Sequence, residues 1–182
     1  FFPTWIWQGR QWAKGKIPKY DPYYWLNAHA HPVLSTYYPP HILSSILGSK
    51  LNLNMAFVTL LFTTTLHQLF ASVGWFLLLN VNYTSTPLLI FGALTFTYSA
   101  YNIKQQPCIV YTIAWFPWLL FGIATNNLIL ASVSFTMVLL AGYYPIGIQI
   151  FAIAVGASIL WTGNIGWVLS GALVAAPQLW PF

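Results

Sequence analysis

Residues 105–182 read QQPCIVYTIAWFPWLLFGIATNNLILASVSFTMVLLAGYYPIGIQIFAIAVGASILWTGNIGWVLSGALVAAPQLWPF, and not one of them is Asp, Glu, Lys or Arg. Backbone polar groups removed from water must satisfy one another, so long apolar runs become helices or closed barrels. The runs here show no period-2 alternation of polar and apolar residues, which selects helices over barrel strands. Outward from this stretch the same composition continues. The whole chain is 58% hydrophobic and 4% charged, where a soluble domain carries about 25% charged residues. The expectation is an all-α fold, a polytopic transmembrane helical bundle of about five to six apolar segments.

Punctuation along the chain sets the segments. Asn52 to Leu79 is the first span, with His67 and Gln68 near its middle, and the turn NVNYTSTP occupies 80–87. Residues 88–101, 108–124, 128–144, 146–162 and 165–180 follow, with a kink expected at Pro117 and a turn at 125–127. Several of these are shorter than the roughly 20 residues of a usual crossing, which argues for tilted or half-spanning pieces packed among other helices. Small residues four apart, Ala152 with Gly156 and Gly166 with Ser170, suit close helix approach.

The chain divides into two regions, 1–51 and 52–182. The first holds Pro3, Pro18, Pro22, Pro32, Pro39 and Pro40, which limit long helices, with short ones expected at 4–14 and 39–48. Trp5, Trp7, Trp12, Trp25 and five tyrosines including Tyr37 and Tyr38 crowd into it. Trp and Tyr favour the headgroup level of a bilayer, so this is an interfacial region whose partner is membrane lipid. The charge is uneven too: Arg10, Lys14, Lys16, Lys19 and Asp21 all precede residue 22, and only Lys50 and Lys104 follow. There is no long basic run and no nucleic-acid motif. One cysteine, Cys108, excludes an internal disulfide. Two crossings return Lys104 to the side of residues 1–51, and the positive-inside rule makes that side cytoplasmic.

Chemistry-bearing residues are few. Asp21 is the sole carboxylate and so the weak candidate for a catalytic base, although an Asp-Pro step also shapes a turn. Arg10, Lys14 and Lys16 suit the phosphates of a bound substrate, or equally of lipid headgroups. His29 and His31 join them as candidate substrate-binding residues. With His41 they fall short of the four ligands of a closed structural metal site, so no metal site is assigned. No cofactor is identified; a divalent metal is compatible with these residues and not indicated by them. His67, mid-span, suits a hydrogen bond across helices, or less readily a haem or chlorin ligand. Asn82-Tyr83-Thr84 fits the N-glycosylation pattern. Gly-rich phosphate loops, paired carboxylates, Ser/His/Asp sets and Cys-x-x-Cys pairs are absent from the sequence.

Several motifs occur in a familiar order. Phe2-Pro3, Gly15-Lys16-Ile17-Pro18, Tyr20-Asp21-Pro22-Tyr23, His31-Pro32 and Tyr38-Pro39 are followed by FTYSAYNIKQQPCIVYTIAWFPWLLFGI, LAGYYPIGIQIF and GALVAAPQLWPF. This order resembles YfhO-type bacterial membrane proteins of the GT-C glycosyltransferase superfamily, along almost the whole chain. The resemblance implies an amino-terminal piece of a longer multi-span helical protein in a bacterial or archaeal plasma membrane. It implies a polyprenyl-phosphate-linked sugar as donor and an envelope glycan or glycoconjugate as product. It also implies that residues 1–51 lie outside the cytoplasm, opposite to the positive-inside reading. The family's acid falls just before the FFP-like opening, upstream of Phe1, and Asp21 matches a position often filled by Asn. The competing expectation is a non-catalytic small integral-membrane subunit packed against other membrane subunits.

Overall fold

The computed structural model describes residues 2–18, 37–51, 64–98 and 107–179. Among them there are nine helices and no strand: α1 (Phe2–Ala13), α2 (Pro39–Lys50), α3 (Thr65–Asn80), α4 (Thr86–Thr97), α5 (Pro107–Ala114), α6 (Phe116–Ala124), α7 (Leu128–Ala141), α8 (Tyr144–Trp161) and α9 (Gly166–Leu179). The all-α expectation therefore holds. Among the described residues one helix, α8, is both long and apolar enough to cross a membrane alone; α4, α7, α9 and the α5–α6 pair are apolar but shorter.

The helix limits follow from local chemistry. Proline, whose missing N–H has no helical partner at the first turn anyway, opens α2, α4, α6 and α8. The α5–α6 break falls at Trp115, just ahead of Pro117, where the kink is expected. Asn126 takes a positive φ of 52° and Asn127 caps α7, its Oδ1 accepting the N–H of Leu130 at 3.1 Å. Gly142, at φ 83°, ends α7 in the left-handed conformation that glycine adopts without steric cost. That stop comes before the expected end at 144, and Tyr144 instead starts α8. The first span is described only from residue 64; residues 52–63 lie outside the described residues.

The packing runs through successive neighbours. Helix α3 packs on α4, α5 and α6, α6 on α7 and α8, and α7 on α9, while α1 packs on α2. The core gathers Leu119 and Ile123 of α6, Ala131, Phe135 and Val138 of α7, Ile150 and Ala154 of α8, and Trp167 of α9. Trp167 is buried, its ring edge-on to Phe135 with centroids 5.1 Å apart. Its indole N–H donates to Ser158 Oγ at 2.9 Å, which satisfies the one polar atom of this side chain. Gly122 lets α6 approach α7 closely: a Cβ there would stand 2.7 Å from the backbone nitrogen of Ala131.

The small-residue spacings resolve differently from each other. Ser170 faces α7 and its Oγ pairs with Ser132 Oγ at 2.6 Å, while Thr136 Oγ1 donates to the carbonyl of Gly171 at 3.2 Å. The close approach of α9 is thus centred on Ser170 and Gly171 rather than on Gly166. Among the described residues, a Cβ at Gly156 would meet nothing within 4 Å, so the Ala152/Gly156 pair makes no close approach to any of them.

Helix α2 is turned the opposite way from a helix in water. His41, Ser45 and Gly48 are buried, and Leu43, Leu47 and the following Leu51 are exposed. Its inner face meets Gly9 of α1, where a Cβ would lie 3.0 Å from Ser45 Cβ. Apolar exteriors continue elsewhere, with Leu160 82% and Ile129 79% exposed.

Candidate functional site

The densest polar cluster among the described residues forms where the segment 37–51 meets α3 and α5. Tyr38 precedes α2 and is fully buried, although its place in the aromatic-rich region predicts a ring at the headgroup level. Pro39 and Pro40 fix the chain direction after it, and Tyr38 caps α2, its carbonyl accepting from the N–H of Ile42. Its ring stacks on Tyr111 of α5, with centroids 5.2 Å apart and planes 20° apart. Its hydroxyl lies 2.5 Å from Nε2 of His67 on α3 and accepts the indole N–H of Trp115 at 2.6 Å. Trp115 can reach it because it sits at the α5–α6 break.

The imidazoles bracket the tyrosines. The His67 ring lies 4.5 Å from that of Tyr111, and the His41 ring lies 6.5 Å from it. Burial pushes the phenol of Tyr38 well above its ordinary pKa, with the nearby Tyr111 adding to the rise and the Trp115 hydrogen bond opposing it, so it remains a neutral donor. Burial, with a smaller contribution from the neighbouring His67, lowers His41 to about 4. Both groups are neutral near pH 7. Beside the cluster, His67, Gln68, Trp75 and Thr97 line a recess of about 10 Å³, close to the smallest space that holds one water molecule.

The candidate residues expected from sequence are distributed as follows. Asp21, His29 and His31 lie outside the described residues, as do Lys19 and Lys104. Arg10, Lys14 and Lys16 are exposed at the end of α1 and in the turn after it, where Lys14 and Lys16 donate backbone N–H bonds to the Gln11 carbonyl. Arg10 lies in the last turn of α1, where a cation is favoured by the unsatisfied carbonyls. His67 does bond across elements, to Tyr38. Asn82, Tyr83 and Thr84 form an exposed turn. Among the described residues, no group of three or more His, Cys, Asp or Glu is placed to hold a metal ion.

Tyr38, Tyr111 and Trp115 are the members that sequence reading does not single out. The Tyr38–His67 and Trp115–Tyr38 bonds join residues 29 and 77 positions apart. The mid-span His67 is the one signal pointing toward them, since a buried polar group demands a partner. No protein-family model, no curated protein and no solved structure matches the chain.

Proposed function

We propose that the chain is an integral-membrane helical bundle of a bacterial or archaeal plasma membrane and works as part of a GT-C-like glycosyltransferase. Residues 1–51 would form the extracytoplasmic surface on which a polyprenyl-phosphate-linked sugar is held for transfer to an envelope glycan or glycoconjugate. One observation carries this reading: the division of the surface. The charged side chains among the described residues, Arg10, Lys14, Lys16 and Lys50, are all exposed and all on the α1–α2 segment. The helices from α3 to α9 carry no charge and expose Leu, Ile and Phe. A soluble monomer rarely exposes apolar patches beyond a few hundred Å². Cations beside an apolar surface suit a ligand with a phosphate head and a hydrocarbon tail. Arg supplies a bidentate fork to the phosphate and Lys a point charge.

Binding of a polyprenyl-phosphate sugar to the detergent-purified protein tests the reading. Replacing Arg10, Lys14 and Lys16 together by Gln should weaken binding by roughly tenfold or more and leave thermal stability unchanged. Unaltered binding would overturn the donor role. A freely soluble monomer in the absence of detergent would overturn the membrane reading itself.

A specific observation favours a second reading. Among the described residues, α4, α7 and α9 are apolar yet shorter than a membrane crossing. A non-catalytic subunit fits this, with its short apolar helices covered by neighbouring subunits. A stoichiometric partner retained in mild detergent, together with no sugar transfer, would favour the subunit.

A further inference from the structure

The Trp115–Tyr38–His67 chain fixes where its protons are. An indole N–H only donates, so the Tyr38 oxygen accepts from Trp115. The hydroxyl proton of Tyr38, in a fully buried side chain, needs an acceptor of its own. His67 Nε2 is the other group bonded to that oxygen. Nε2 can accept only in a neutral imidazole whose proton is on Nδ1. A doubly protonated imidazole is a donor at both nitrogens. It would turn a proton toward the Tyr38 oxygen and displace the hydroxyl proton from its acceptor.

The three members belong to different parts of the fold. Tyr38 leads into α2, His67 belongs to α3, and Trp115 marks the α5–α6 break. The chain therefore ties the segment carrying α2 to the rest of the bundle. We propose that Trp115–Tyr38–His67 is a proton-sensitive clasp: it holds the 37–51 segment against α3 and α5 while His67 is neutral, and loosens that segment when His67 takes up a second proton.

The surroundings favour the same response. Among the described residues, the titratable groups facing His67 include Tyr38 before α2, His41 on α2 and Tyr111 on α5. The cations Arg10, Lys14, Lys16 and Lys50 are exposed. Gln68 and Thr97 share the recess with His67 and are not titratable. Charge on His67 also opposes charge on His41, so the two imidazoles resist protonation together. The clasp is independent of the proposed enzymatic activity.

Amide hydrogen exchange of residues 38–47 in the detergent-solubilised full chain tests it, with the intrinsic pH dependence of exchange divided out. Protection should fall by roughly tenfold or more between about pH 8 and pH 5 in the wild type. His41→Gln removes the titration of His41 itself and should retain a step. Adding His67→Gln, which keeps an acceptor for the Tyr38 hydroxyl and cannot titrate, should reduce the change to less than about twofold over the same range. Adding Tyr38→Phe to His41→Gln instead should lower protection at every pH and abolish the step. A step that persists in the His41→Gln/His67→Gln variant, or that is absent from His41→Gln, overturns the proposal. Nitrogen-15 chemical shifts of the wild-type imidazoles give a check that requires no variant to fold. At about pH 8 they should show His67 protonated at Nδ1 and bare at Nε2; an Nε2–H tautomer overturns it.

Discussion

The α1–α2 segment and the α7–α8–α9 packing solve the same problem with opposite materials. Around α2 the buried face is polar or small, with Gln8, Gly9, His41, Ser45 and Gly48 inside and leucines outside. Around α7 the buried face is apolar, with Phe135, Val138 and Trp167 inside, and the exposed face is apolar as well, with Ile129 and Leu173 outside. In water, burial sorts residues by polarity, and here it does not. Among α7, α8 and α9 what distinguishes inside from outside is shape and hydrogen bonding: Trp167 finds Ser158, Ser170 finds Ser132, and Thr136 finds the Gly171 carbonyl. Around α2 it is the ring stack and the clasp.

If shape governs the second region, truncating its most enclosed side chain should have the largest effect. Trp167→Ala removes a fully buried ring and leaves Ser158 without its indole donor. Its expected cost is about 3–5 kcal/mol, read from reversible denaturation in mixed micelles. A cost below about 1 kcal/mol would mean that Trp167 is not the keystone of that packing.

If polarity governs the first region, pH should act there and spare the second. His41 is held near 4 when folded, below the ordinary imidazole value of about 6.5. A depressed folded value means that the unfolded state binds more protons between these limits. Stability is therefore complete above about pH 6.5 and declines as pH falls toward about 4, by up to about 3 kcal/mol. The measurement is the denaturation midpoint against pH, compared between the wild type and His41→Gln. The variant should show a shallower slope, and a slope unchanged in the variant would remove His41 from the account.

A smaller effect sharpens the shape argument. Gly122→Ala places a methyl group against the Ala131 backbone, which cannot swing aside as a side chain can. About 1–3 kcal/mol of destabilisation is expected by the same assay. Smallest of all should be Leu173→Ala. This residue is 74% exposed, and its loss should change stability by less than about 0.5 kcal/mol.

The sequence announces the helices more readily than their contacts. The turns at 80–87 and 125–127 and the break ahead of Pro117 are visible because Asn, Pro and Thr have local backbone preferences that act without tertiary help. The stop at Gly142 is harder to read, since Tyr143 and Tyr144 continue the apolar run and only glycine's left-handed conformation interrupts it. Which face of α7 or α8 is buried is not legible, because apolar residues surround both helices and periodicity carries no contrast. The candidate site was half visible. His67 stands out as a polar group in an apolar segment, whereas Tyr38 resembles any other ring of its aromatic neighbourhood. Only the fold distinguishes it, by carrying it across to Trp115 and His67. Asp21, His29 and His31 fall outside the described residues, so the charged half of the sequence-based site is represented by Arg10, Lys14 and Lys16 alone.

The inverted polarity of α2 has a consequence for how the segment can exist by itself. Surrounded by water, the same helix would gain by rolling about half a turn on its axis, tucking Leu43 and Leu47 under and offering His41 and Ser45 to solvent. The roll observed is the reverse, with Leu43 and Leu47 outside. If the exterior is lipid, as proposed, helix α2 serves as a weathervane for its medium, and transfer to water should favour a rotation of this short rod.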